Sequence, residues 1–543
     1  MKNLLRIALI LTIALSAAFG MLNRVSVFAP PDTNMNVGGM GNMIAGVDVD
    51  GDGAKEIYLV NDNWNDSDAG ELVPRIYKLE RPVGETEYQV VWEANAQDFV
   101  DGIQQNTWPT LSLTDLDDDG KMELTWGIVN YSTTPSPYRI WVYEHAGGDN
   151  FGVQNPTTGK WEPTSVWTIT DDDAKDIRPI SWDVVDIDSD GTDEIIFASR
   201  KPDMTFGVCS VDDIPDDGAG TETWTLEFSK EDVPGYSADN KWAVATIGNS
   251  AYIFDEVYIS KVSWNGSAYE YAELTPLAGG ISLDGAIACD VDNDSFEEIL
   301  VGEYYYGGAD RSIRLLQESG DTLIHHTLFD LSGAEYLNGG RLLGVDKGDI
   351  DSDGNVDFIF GSRYSGLPNA MIFRIEYNGS GAASDPANWT LTFADSAVSD
   401  IGSLMWNVID VCNMDDDTDD EVVYTSSVSS GSFTHPIVVL DNGDYTTAVS
   451  PLFEPVDFEL GKAYPNPFNP STMIPFTLNE TGSVTLDVFN VKGQHVATLV
   501  SNEVMEAGVH NVMFDAGDLA SGVYLYQLRV DNTVRAAKMV LNK

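Results

Sequence analysis

Asp186-Ile-Asp188-Ser-Asp190-Gly191-Thr-Asp193-Glu194-Ile-Ile-Phe197 decides the reading of this chain. Oxygen-bearing side chains hold its positions 1, 3, 5 and 9, and an apolar run follows. The pattern recurs as Asp48, Asp50, Asp52 and Glu56, then as Asp115, Asp117, Asp119 and Glu123. It returns as Asp290, Asp292, Asp294 and Glu298, as Asp349, Asp351, Asp353 and Asp357, and as Asn413, Asp415, Asp417 and Glu421. Calcium takes roughly six to eight hard oxygens at about 2.3–2.6 Å, and a chain curling round an ion offers alternate side chains. A backbone carbonyl near position 7 and the carboxylate at position 9 close such a shell. Glycine at position 6, present in four of the six copies, permits the sharp turn. These residues are therefore candidate ligands for up to six structural Ca²⁺.

An EF-hand begins with the same letters but needs a bidentate Glu at position 12 between two helices. Position 12 here is Leu59, Trp126, Phe197, Val301, Phe360 and Tyr424, all apolar. The runs after position 9 are short, β-branched and aromatic, so each loop is expected to turn a β-hairpin. The copies lie 67, 71, 104, 59 and 64 residues apart. A later β-rich run recurs seven times, starting at Arg75, Tyr138, Phe206, Val257, Ser312, Met371 and Pro436. The long interval thus hides a unit without its acidic loop, in which Trp242–Ile247 is the first strand and Gly248-Asn249-Ser250 a tight turn. Seven units, each of two hairpins, predict an all-β chain with a seven-bladed β-propeller over 21–450. A stack of β-sandwich modules needs about 100 residues per unit.

The six copies resemble the FG-GAP/VCBS repeat family of integrin-alpha-type propellers. That resemblance implies calcium in the hairpin loops. It leaves function open, since family members include adhesins, lectin-like modules and some lyases.

The N-terminus, MKNLLRIALILTIALSAAFG, has a charged start, an apolar stretch and small residues before a cleavage point after Gly20, the form of a signal peptide over 1–20. No other stretch is long and apolar enough to span a membrane, so no transmembrane segment is expected in the mature chain. The three cysteines, Cys209, Cys289 and Cys412, form no disulfide framework. Residues 451–461 read as a linker. Over 462–543, six short strands predict a small immunoglobulin-like β-sandwich. This segment resembles the type A C-terminal sorting domain of the type IX secretion system, through Tyr464–Thr472, Asn490-Val-Lys-Gly493, Leu519–Tyr526 and the terminal Lys538–Lys543. The resemblance implies the type IX machinery as a partner and a secreted or outer-surface location.

With 29 Lys+Arg against 87 Asp+Glu the formal net charge is −58, which repels phosphate backbones and argues against nucleic acid as a partner. The six motifs hold 29 of those 87 carboxylates. Opposite the acidic loops, the residues after each unit's second strand are rich in aromatic and polar groups. Trp64, Tyr131, Arg200, Tyr305, Arg363 and Tyr364 are candidates for contact with a glycan or a cell-surface protein. Asp183, Asp346 and Asp410, each three residues before a motif, are expected to line a wet central channel. Recognisable catalytic motifs are lacking, and no catalytic residue is assigned. A calcium-stabilised binding or adhesion module is the leading reading. A polysaccharide-active lyase or glycoside hydrolase and a structural surface-layer component are the alternatives.

Overall fold

The computed structural model describes residues 22–28, 39–61, 73–82, 87–105, 108–128, 138–170, 177–199, 205–230, 241–255, 259–274, 281–305, 311–320, 322–331, 341–363, 371–396, 408–415, 417–425, 437–442, 458–478, 481–490, 495–517, 519–530 and 533–543. The chain divides into two compact units, 1–449 and 450–543. Both are nearly all β. The signal segment 1–20 lies outside the described residues.

In the first unit the strands form successive antiparallel sheets, most of them meanders of four; the second carries a fifth short strand, Asn150–Phe151, and Val153–Gln154 pairs separately with Trp161–Glu162. The first sheet runs Met40–Val47, Glu56–Asn61, Arg75–Glu80 and Gln89–Asn95. The next five begin at Thr110–Thr114, Pro179–Val185, Lys241–Ile247, Ile281–Cys289 and Arg341–Gly348. The seventh is built differently. Ile409–Cys412, Glu421–Tyr424 and Ile437–Asp441 supply three strands, and the N-terminal Asn23–Phe28 pairs with Ile437–Asp441 as the fourth. Arg24 in that clasp strand also bonds Asp395 of the sixth sheet, Nε to Oδ2 at 2.8 Å. The first strand of each sheet lies against the first strand of the next, and the seventh against the first, so these strands make a closed cycle. A cavity of about 550 Å³ is lined from all seven of them, by residues such as Asn42, Thr110, Asp183, Thr246, Ile287, Asp346 and Asp410.

Packing explains why the second strands carry unbroken apolar runs. Each is covered on both faces, and successive side chains point to opposite faces. Ile57 and Leu59 join a core with Val422 and Tyr424 of the seventh sheet, while Tyr58 and Val60 join one with Leu124 and Trp126 of the second. Ile195 and Phe197 face the second sheet, and Ile196 and Ala198 the fourth. Tryptophans of the fourth strands tie neighbouring elements together. Trp92 donates to the Phe151 carbonyl at 3.1 Å, and Trp224 stacks on Trp167 with centroids 5.0 Å apart.

The fourth sheet answers the sequence reading closely. Its first strand is Lys241–Ile247, and Gly248-Asn249 makes a two-residue turn into Ser250–Asp255. Its third strand is described over Ile259–Trp264, and the expected start at Val257 lies outside the described residues.

In the second unit two sheets share one core. Phe458–Leu460, Ser471–Leu478 and Gly508–Asp515 form one, and His495–Met505, Gly482–Asn490, Gly522–Val530 and Thr533–Leu541 the other. Ile474, Phe476, Val484, Leu486, Tyr526 and Leu528 meet between them. The linker reading of 451–461 is corrected here. Residues 458–460 pair with Phe476–Leu478 as an edge strand of this unit.

Candidate metal centres in the acidic loops

Each acidic loop connects the first and second strands of its sheet, and position 9 opens the second strand in all six. Glu56, Glu123, Glu194, Glu298, Asp357 and Glu421 stand there. The strand fixes the backbone, and the side chain folds back over the loop. One carboxylate oxygen accepts the N–H of position 2 in every copy, at 2.6–3.1 Å. None of the six is more than 2% exposed.

The rest of the loop wraps inward by the same rule. At Asp186, Asp290 and Asp349 the position 1 carboxylate accepts N–H groups from positions 5 and 6, as where Asp190 and Gly191 donate to Asp186 at 3.1 Å, and Asp48 and Asp115 also accept from position 6. The position 5 carboxylate accepts the N–H of position 7 at 2.8–3.0 Å. Two places need a left-handed backbone. Position 6 is Gly53, Gly120, Gly191 and Gly354 at φ 84–100°, but Ser295 at 73° in the fourth copy. Position 4 is left-handed as well, at Gly51, Asp118, Ser189, Asn293 and Ser352. The small and Asx-type residues there are the signal for this second turn position, which the sequence reading passed over.

The loops gather oxygens. One carboxylate oxygen from each of Asp48, Asp50 and Glu56 lies within 4.8 Å of the other two, and the same holds for Asp115, Asp117 and Glu123 and for Asp186, Asp188 and Glu194. Several of these oxygens are buried without a hydrogen-bond partner: Asp115 Oδ1, Glu123 Oε1, Asp292 Oδ1, Asp417 Oδ2 and Glu421 Oε1. A bare buried carboxylate costs several kcal/mol, roughly, unless it is protonated, paired or coordinated. Burial, reinforced by Asp117, Glu144 and Asp115 and opposed by the Leu116 N–H, pushes Glu123 up to about 9. Burial with Glu227, Asp188 and Asp190 takes Glu194 to about 8, and burial with Asp415, Asp417 and Asp441 takes Glu421 to about 8. These hard, convergent, underbonded oxygens are the donor set that a divalent cation such as Ca²⁺ would satisfy.

Three loops hold a basic group that the sequence reading did not assign: in the second, Lys121 places Nζ 3.3 Å from the position 5 carboxylate of Asp119 and 2.5 Å from Glu144, while in two others the base reaches positions 3 and 9. Lys78 places Nζ 2.7 Å from Glu56 Oε1, 2.9 Å from Asp149 Oδ1 and 3.5 Å from Asp50 Oδ2, with its side chain 0% exposed. Arg374 places Nε 2.6 Å from Asp357 Oδ1 and its terminal nitrogen 2.5 Å from Asp351 Oδ2. Burial pushes Asp357 up to about 6, against the pull of Arg374.

The three aspartates read as channel lining do border the cavity, but their carboxylates span seams between sheets. Asp410 Oδ2 accepts the Ala45 N–H at 2.5 Å, Asp346 Oδ2 accepts the Val411 N–H at 2.6 Å, and Asp183 bonds Thr246. Burial raises Asp346 and Asp410, and the two acids also bond each other. Cys209 and Cys289 are buried, and Cys412 is partly buried; all three are free thiols. Of the candidate ligand surface, Trp64, Tyr131, Arg200 and Tyr364 lie outside the described residues, as do the side chains of Tyr305 and Arg363, whose backbones end the strands Glu298–Tyr305 and Asp357–Arg363.

Comparison with known proteins identifies the second unit. Residues 462–542 match the family model of the secretion system C-terminal sorting domain. This sorting domain marks the chain for type IX export, to the cell surface or beyond it, and makes the secretion machinery a partner. No FG-GAP/VCBS repeat family is detected ahead of it. No curated protein matches the sequence at a significant level. Among solved structures, a fungal alcohol oxidase of the AA5 family in complex with copper is 11% identical, with 96% of this chain and 100% of that chain covered and a TM-score of 0.44. Extracellular domains 1-2 of Drosophila Semaphorin 1b are 9% identical, with 78% and 87% covered and a TM-score of 0.37. Neither likeness carries the fold, which rests on the strand pairing. Among the described residues no helix is long and apolar enough to cross a membrane.

Proposed function

We propose that the first unit is a seven-bladed β-propeller of the FG-GAP/VCBS type, held by Ca²⁺ in its acidic loops, and that it works outside the cell as a binding and adhesion module for a glycan or a protein. The observation that carries the metal part is the position 9 carboxylate. It is buried in all six loops with one oxygen on the position 2 N–H, and in Glu123 and Glu421 the second oxygen is left buried without a hydrogen-bond partner. The propeller reading is supported by the closed cycle of first strands around one cavity. Its outward role is supported by the sorting domain.

Calcium is structural in this reading. It replaces protons and strained contacts in the loops and stabilises the hairpins, while the connections after the second strands are left to meet the ligand. Trp64, Tyr131, Arg200, Tyr305, Arg363 and Tyr364 are the residues proposed to do so. Rings at such places stack on pyranose faces, and their polar neighbours bond hydroxyls.

A screen of the mature chain against glycans and surface proteins, with and without calcium, tests the function. A saturable partner without turnover, weakened by Ala at Trp64, Tyr305 and Arg363, is expected. Turnover of a polysaccharide, lost on changing one carboxylate, would replace this reading with the lyase or hydrolase one. Equal binding by the triple variant would remove the proposed surface.

A further inference from the structure

The six loops share one backbone plan, but they face different residues. Position 11 of each motif lies in the second strand and pairs with one residue of the third strand. In the first and fifth sheets with loops, at Tyr58 and Ile359, the partners are Lys78 and Arg374. In the other four, at Thr125, Ile196, Leu300 and Val423, the partners are Val142, Val208, Leu315 and Val439. The same register position is thus basic twice and aliphatic four times.

The basic side chains use that position in the same way. Lys78 contacts the position 3 and position 9 carboxylates of its loop, Asp50 and Glu56. Arg374 contacts the same two positions of its own loop, Asp351 and Asp357. One oxygen at each of positions 3 and 9 is already held by a cation belonging to the chain, although Asp351 Oδ1 stays buried without a hydrogen-bond partner. Lys78 Nζ is fully buried and also bound to Asp149 from the neighbouring sheet, so it has no aqueous place to retreat to. A divalent ion entering beside it would set two like charges within a few ångströms at low dielectric, which is strongly unfavourable.

The aliphatic loops differ at position 9, where no basic group is described against the carboxylate, although Lys121 pairs with the position 5 carboxylate Asp119 in the second. Glu123 and Glu421 each keep a buried oxygen without a partner, as does Asp292 in the fourth motif. Glu298 meets only a neutral amide among the contacts described for its second oxygen, from Gln317 at 3.1 Å. Glu194 lies among further carboxylates.

We infer that Lys78 and Arg374 are resident cations that substitute for calcium in the loops at 48–56 and 349–357, and that exogenous Ca²⁺ binds in the other four. This rests on the calcium reading above and goes beyond it by saying which loops are loaded. The residue opposite position 11 decides the outcome: a basic one closes the loop to metal, and an aliphatic one leaves it open.

Calcium stoichiometry of the mature full-length chain, by equilibrium dialysis with elemental analysis and by titration calorimetry, tests it. Four ions per chain are expected. Lys78→Leu and Arg374→Leu should each raise the count to five, and each variant should melt below the wild type in EDTA but recover in calcium. The reciprocal Val208→Lys should lower the count to three. It provides an independent arm if a leucine variant fails to fold. Six ions in the wild type, or an unchanged count in the leucine variants, would overturn this assignment while leaving the calcium reading intact. No bound calcium in any form would overturn both.

Discussion

The third and fourth sheets of the first unit have the same meander and adjoin each other, yet they turn their first hairpin in different ways. In the third, an acidic loop joins Pro179–Val185 to Glu194–Ser199. In the fourth, Gly248-Asn249 does it in two residues. Both second strands are packed into cores with their neighbours. The scaffold therefore does not need the acidic loop to pair its strands. The loop is an addition at the end of a hairpin, and the carboxylates it brings are a liability until something neutralises them. The fourth sheet takes part in the other use of carboxylates in this unit, the bond across a seam, because Asp183 of the third reaches Thr246.

Removing metal is the harshest way to separate the two kinds of sheet. A ligand at about a hundredfold excess over its dissociation constant contributes about 2.7 kcal/mol per site. Four loaded loops would add on the order of 10 kcal/mol by that arithmetic. EDTA should therefore lower the melting temperature of the mature chain by about 10 °C, by the usual relation of free energy to Tm for a unit of this size; an unchanged calorimetric trace would break the comparison outright. A gentler test converts one sheet into the other. Replacing residues 186–193 by Gly-Asn should leave the circular dichroism spectrum unchanged and remove one bound calcium, with about 2.7 kcal/mol less calcium-dependent stabilisation. Loss of folding would mean that the third sheet needs its loop.

The seam carboxylates are predicted to respond to pH instead. Asp410 has its pKa raised by burial and by Asp346 beside it, so the folded state holds its proton more tightly than the unfolded chain does. Its contribution is then present at low pH and fades as pH rises from the ordinary aspartate range through the folded value. Asp410→Asn should flatten that decline, while the wild type loses stability as the solution becomes more alkaline. Denaturation midpoints measured in EDTA across the pH range check it, and parallel slopes would contradict it. The smallest effect is expected inside a single loop. Ser295 sits at φ 73° where four other copies have glycine, and a left-handed backbone costs an ordinary residue about 1 kcal/mol. Ser295→Gly should stabilise the protein by about that amount, read from a urea midpoint; no gain would mean that the strain is relieved elsewhere.

The hairpins were legible because their chemistry repeats. Six acidic motifs, each followed by an apolar run, announce strand–loop–strand without any structure, and the silent fourth unit betrays itself by spacing alone. The sorting domain was legible for a related reason, since most of its strands alternate apolar and polar residues and fall close to where the pattern puts them. What stayed hidden depends on pairing between distant segments. Asn23–Phe28 is six unremarkable residues until Ile437–Asp441 is placed beside it. Lys78 and Arg374 look like charges inside strands until register sets them opposite position 11. The aspartates before the motifs could be placed near the cavity from sequence, but their bonds across seams required knowing which sheet follows which.

The clasp between Asn23–Phe28 and Ile437–Asp441 also imposes a timetable. One strand of the seventh sheet is synthesised ahead of the other six sheets, and its remaining three strands come after them, just ahead of the sorting domain. Until Ile437–Asp441 emerges, the early strand has no partner and the sheet beside it keeps an open edge of the kind that invites pairing with another chain. Six of the sheets can assemble from neighbouring segments as they appear, but the last seam cannot. Completion of the cycle is therefore a late, long-range event, slow by the entropy of bringing distant ends together. A chain interrupted anywhere before residue 437 would be left with an unpaired first strand, which makes the folded first unit a report that its whole length has been made.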